Sequence, residues 1–106
     1  MYYRVRARLL PGVAAELYRI LADGSVARQR PDGAEIVASM RRAVWVGEEV
    51  HWTETCYCAT PLQHERATVY DRFFTGMVAE AAPEGAQPPP EGVSFWERLR
   101  EAGAQA

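Results

Sequence analysis

From Tyr2 to Leu10 the chain alternates: Tyr3, Val5, Ala7 and Leu9 interleave with Tyr2, Arg4, Arg6 and Arg8. A period of two belongs to a strand with one buried face. The period then lengthens. In PGVAAELYRILADG, residues 11–24, the residues Ala14, Leu17, Tyr18 and Leu21 form one apolar stripe. Pro11 suits the first turn of such a helix and Gly24 its C-terminal cap. Residues 25–33, SVARQRPDG, read as a loop closed by a Pro-Asp-Gly turn. Two more strands are predicted over 35–46 and 49–58, joined by Gly47-Glu48, because glycine first in a two-residue connection fits a type II′ hairpin. The turn sets the register. One face then carries Trp45 opposite Val50, Ala43 opposite Trp52, Arg41 opposite Glu54, Ser39 opposite Cys56 and Val37 opposite Cys58. The other carries Val44 opposite His51, Arg42 opposite Thr53, Met40 opposite Thr55 and Ala38 opposite Tyr57.

After Cys58 the period changes again. Thr60-Pro61-Leu62-Gln63 has the form of a capping box, and Leu62, Ala67, Tyr70, Phe73, Phe74 and Met77 supply a helical stripe ending near Gly76. Residues 77–81, MVAEA, read as a closing strand. The order β-α-β-β-α-β is the ferredoxin-like α+β arrangement, with four antiparallel strands in spatial order 4-1-3-2 and both helices on one face. In architecture, residues 1–81 resemble the dimeric α/β-barrel proteins. Residues 82–92, APEGAQPPPEG, form a proline-rich, extended linker. In the tail, 93–106, Ser94 to Glu97 make a second capping box that opens a helix to about Ala102, with Phe95, Trp96 and Leu99 on its apolar side. So short a helix needs a surface to dock on, and the expectation is that it crosses to a second copy of the chain.

Composition narrows the function classes. With 106 residues, 48% hydrophobic and 25% charged, the chain fits one ordinary globular domain. All twelve basic residues are arginine, and the net charge of −2 gives no overall basic character for nucleic acid. No apolar run approaches the roughly 20 residues of a membrane span, and the alternating N-terminus is unlike a secretory signal. The expected location is the cytoplasm, with reduced thiols.

The densest chemistry lies in WTETCYCATPLQHER, residues 52–66. On a strand, Cys56 and Cys58 point the same way about 6.5–7 Å apart, too far for a disulfide. Together with His64, and Glu54 or His51, they form a C-x-C-x5-H pattern, whereas structural zinc sites use C-x2–4-C knuckles. The pattern therefore predicts two buried thiols, with no metal and no cofactor. Glu54 is expected to pair with Arg41, which would lower its pKa; the alternative is a carboxyl of raised pKa acting as acid or base. His51 and Glu54 are the candidate catalytic groups. Phosphate-loop and hydrolase motifs are absent.

Arg4, Arg6 and Arg8 share one face of a central strand, so like charges about 7 Å apart there need neutralising. With Arg42, His51, Thr53, Thr55 and Tyr57 they outline a candidate binding face. The function predicted is binding of a small anionic or carbonyl-bearing ligand in a pocket over that face, built by a homodimer or higher oligomer, with His51 as base. One alternative is a structural or regulatory protein-interaction module. Another is RNA stacked on Tyr2 and Tyr57, although the RRM aromatic motif is missing.

Overall fold

The computed structural model describes residues 1–105. Strand β1 (Tyr2–Leu9) buries Tyr3, Val5 and Ala7 and leaves Arg4 and Arg8 exposed, as its alternation dictates. Helix α1 (Ala14–Ala22) buries Leu17, Ile20 and Leu21. Gly24 follows at φ 88°, the left-handed conformation in which glycine ends helices without strain.

The main correction falls on the strand predicted over 35–46. Gly33–Arg42 is instead helix α2, and only Val44–Val46 is extended, as β2. Gly33, Ile36, Met40 and Ala43 are buried, a helical spacing that the run of small and apolar residues conceals. Charge order agrees: Glu35 lies in the first turn, and Arg41 and Arg42 in the last. Near the turn the predicted hairpin register holds, with Val44 opposite His51, Trp45 opposite Val50 and Val46 opposite Glu49 on β3 (Glu49–Thr55). The strand pairings predicted for residues 37–43 do not exist.

The second helix predicted after Cys58 is also shorter than its stripe suggested. Helix α3 covers only Gln63–Thr68, a 3₁₀ turn follows at Tyr70–Arg72, and β4 (Phe74–Ala81) takes up Phe74, Gly76 and Met77. No capping box forms. Thr60 to Gln63 make a β-turn, closed by the Gln63 N–H to the Thr60 carbonyl at 3.1 Å, with Leu62 left-handed at φ 59°. Proline at the second position and a positive φ at the third are the marks of a type II turn.

The sheet is antiparallel, five-stranded and ordered β4-β1-β3-β2-β5, the last strand being Val93–Ser94. Helix α4 (Phe95–Gln105) follows it. The class is α+β, but the element order is β-α-α-β-β-α-β-β-α rather than β-α-β-β-α-β. Among the described residues no helix is long and apolar enough to cross a membrane.

Two features position everything else. First, the proline-rich segment joins opposite edges of the sheet by crossing its outer face. The Tyr2 hydroxyl donates to the Ala86 carbonyl at 2.9 Å, and Gln87 to Pro90 lie over Arg4, His51 and Thr53. Gly92 passes so near Val44 that a Cβ there would stand 2.6 Å from the valine Cβ. Second, α4 docks on its own chain. Phe95 and Leu99 are fully buried, in one cluster with Trp52, Tyr70 and Phe74. Ring centroids lie 5.2 Å apart for Trp52–Phe74 and 6.0 Å for Phe74–Phe95.

This burial makes α4 part of the core. Leu99→Ala should lower unfolding free energy by about 3 kcal/mol in a urea titration. A loss within experimental error would show that the tail contributes no core packing.

Candidate functional site

The largest concentration of reactive side chains surrounds a cleft of about 480 Å³ at the end of β3. Three segments build it. Thr55, Cys56, Tyr57 and Cys58 come from the end of β3 and the following loop, Pro31, Asp32 and Glu35 from the start of α2, and His64 and Glu65 from α3. Their convergence has a local cause. Strand β2 ends after three residues, so the outer edge of β3 beyond Trp52 has no strand to pair with. Side chains of α2 take that place: Arg42 donates to the Thr53 carbonyl at 2.7 Å, and Glu35 accepts the Thr55 N–H at 2.9 Å. The two are themselves paired at 3.2 Å. These bonds hold the N-terminus of α2 beside Thr55.

Beyond Thr55 one more backbone bond, Cys56 N–H to the Met1 carbonyl at 2.9 Å, extends the pairing, and the chain then leaves the sheet. The spacing expected of two cysteines on a strand is therefore not kept. Both Sγ atoms lie within 4.8 Å of each other and of a Glu65 carboxylate oxygen, and the Cys58 N–H donates to Cys56 Sγ at 3.3 Å. Both thiols are free. Burial pushes the Cys56 thiol up to about 12, although N–H groups of Cys58 and Leu62 pull it down. It is a thiol at neutral pH, not a nucleophilic thiolate.

The acids are placed by helix starts, where the helix dipole favours negative charge. Asp32 is the N-cap of α2, and its Oδ2 meets His64 Nδ1 at 2.7 Å. Its Oδ1 is buried without a partner. Glu65 is buried and takes a hydrogen bond from Cys58 Sγ at 3.4 Å. Donor atoms of Asp32, His64 and Glu65 also fall within 4.8 Å of one another, so Glu65 is common to two groups able to hold a metal. Tyr57, 88% exposed, stands at the rim. The Asp32–His64 pair fixes one ring nitrogen and leaves the other for a proton or a cation.

Glu54 is not in the cleft and does not pair with Arg41, which instead lies over the Trp96 ring at 4.6 Å. It points into the core, where its Oε1 accepts from the Tyr70 hydroxyl at 2.6 Å and Trp52 Nε1 at 2.9 Å. Oε2 has no partner. Burial raises its pKa to about 8, against the pull of those two donors and helped by the nearby Glu65 and Glu35. The lowering expected from an arginine partner is thus reversed.

The residues predicted for the outer sheet face are divided by the structure. Arg6 pairs with Glu80 at 3.2 Å and Glu49 at 3.8 Å, and Arg8 with Glu48 at 3.9 Å. Arg4 and His51 do line a smaller cleft of about 250 Å³ beneath Gln87–Pro90. Arg42 is diverted to the edge of β3, Thr53 is buried, and Thr55 and Tyr57 border the larger cleft. Sequence reasoning passed over Asp32, Glu35 and Glu65. Acids at a helix start are the available signal, but the sequence pattern places Asp32 in a loop and Glu35 in a strand, and marks Glu65 only as one more polar residue of a helix.

Comparison of the chain with protein-family models, curated proteins and solved structures gives no match.

The Glu54 environment sets a pH dependence. An unfolded glutamate loses its proton near 4.5, while the native one keeps it to about 8. The native state therefore binds more protons in that window, and stability falls as pH rises through it. Unfolding in metal-free buffer should show wild type losing on the order of a few kcal/mol between pH 5 and 8 relative to Glu54→Gln. Parallel pH profiles for the two proteins would refute a protonated Glu54.

Proposed function

We propose that this protein binds a small cationic ligand in the cleft between α2, α3 and the loop after β3. The observation that carries the reading is the charge inventory of the cleft. Asp32, Glu35 and Glu65 line it, and among the described residues the one guanidinium bonded to them, Arg42, is held on Glu35. A half-enclosed site of that sign raises the local concentration of cations. Tyr57 adds an exposed ring face at the rim, which attracts cations further. A volume of about 480 Å³ suits a small molecule or a hydrated ion.

A second reading keeps the ligand on the sheet face, as the arginine pattern suggested, and takes it to be anionic or carbonyl-bearing. Its support is the smaller cleft where Arg4 and His51 meet Gln87–Pro90. It ranks second because Arg6 and Arg8 are neutralised by acids of their own chain.

Amide chemical shifts discriminate the two. Titration with tetramethylammonium or guanidinium should move signals of Tyr57, Cys58, His64 and Glu65, and Glu65→Gln should weaken that response about tenfold. Acetate and phosphate should leave those signals still. Response to the anions alone, centred on Arg4 and His51, would replace the first reading with the second.

A further inference from the structure

Two cysteines and a glutamate meet in the cleft. Glu65 is only 1% exposed, and its side-chain partners are thiols: Cys58 at 3.4 Å, and Cys56. Among the described residues no arginine pairs with it, since the ion pairs that reach acids of the cleft are Arg42 with Glu35 and His64 with Asp32. A carboxylate so placed has lost its water and gained only weak S–H donors.

The spacing fits a cation. Around a tetrahedral zinc ion, sulfur at about 2.3 Å and oxygen at about 2.0 Å stand about 3.5 Å from each other. Cys58 Sγ and Glu65 Oε1 are 3.4 Å apart, and Cys56 Sγ completes a trio within 4.8 Å. The Cys58 backbone N–H donates to Cys56 Sγ at 3.3 Å, an arrangement suited to a metal-bound sulfur. The loop that begins at Cys56 thus brings two sulfurs and a backbone donor together, despite its C-x-C spacing. Beside it, Asp32 holds Nδ1 of His64, the outer carboxylate that histidine ligands commonly have.

We infer that Cys56, Cys58 and Glu65 bind a thiophilic divalent cation of the zinc class, with the remaining coordination position open to the cleft beside His64. This rests on the cleft being a cation site and names the cation. On binding, each thiol gives its proton to solvent and its sulfur takes the metal, with no change of oxidation state. Sulfur donors favour zinc over magnesium or calcium.

The test uses the full chain, reduced, stripped with chelator and re-supplied with Zn²⁺ or Co²⁺ alone. Elemental analysis after gel filtration should find about one zinc per chain, and the cobalt form should show sulfur-to-cobalt charge-transfer absorption. Cys56→Ser and Cys58→Ser should each diminish that band and weaken binding at least about 100-fold, with Glu65→Gln costing about 10- to 100-fold. Thermal stabilisation of the wild type by Zn²⁺, absent with Mg²⁺, supplies a readout that needs no variant. Unbound zinc with both thiols reduced, or a cobalt spectrum without sulfur absorption, overturns the metal site. If tetramethylammonium still shifts Tyr57 and Glu65 in that case, the cation cleft survives without its metal; if nothing binds, both readings fall.

Discussion

Strand β2 stops after three residues, and most of what distinguishes this fold follows from that. A longer strand would have satisfied the outer edge of β3 with backbone groups. Instead Arg42 and Glu35 supply a donor and an acceptor from a helix. Hydrogen bonds to charged groups contribute about 1.5–3 kcal/mol each, so this is a firm seam. It has a geometric result that a strand would not give. A helix laid along an edge brings its N-terminal turn, with Asp32 and Glu35, to the place where β3 ends. The loop carrying Cys56 and Cys58 leaves the sheet at that same place, and α3 returns His64 and Glu65 to it.

The interior shows a second tension. Glu54 occupies an inward position on β3 among Trp52, Tyr70 and Phe74, where an aliphatic residue would bring no charge but would leave two buried donors unpaired. Its acceptor oxygen collects both aromatic donors, so the ring N–H of Trp52 and the hydroxyl of Tyr70 are satisfied together. The carboxyl thus orders an aromatic cluster that would otherwise bury two unpaired donors. Protonation makes this tolerable, since a neutral acid loses far less on burial than a carboxylate.

How much of this the sequence carried depended on whether the information was local. Strand β1 was legible because Tyr2 and three arginines alternate with Tyr3, Val5, Ala7 and Leu9, and the hairpin register because Gly47 dictates its own turn. Helix α2 was not. In AEIVASM both readings place apolar residues inward, and only the order of its charges separated them. The loop at Leu62 was hidden for a different reason. A left-handed leucine is unfavourable locally and is held by complete burial of its side chain, a tertiary effect. The cleft was hidden likewise, because its acids and thiols are gathered by the seam between α2 and β3 rather than by any motif.

The strap over the sheet and the helix after it also govern when the molecule can exist. Phe95 and Leu99 enter a core whose other members include β1, far earlier in the sequence. During synthesis, Tyr3, Val5 and Trp52 emerge from the ribosome long before their last packing partners do. The nascent chain must therefore wait with an unfinished, aromatic-rich interior until residues 93–105 are free. Its exposure to chaperones and to neighbouring nascent chains is set by the interval between the emergence of β3 and that of residues 93–105.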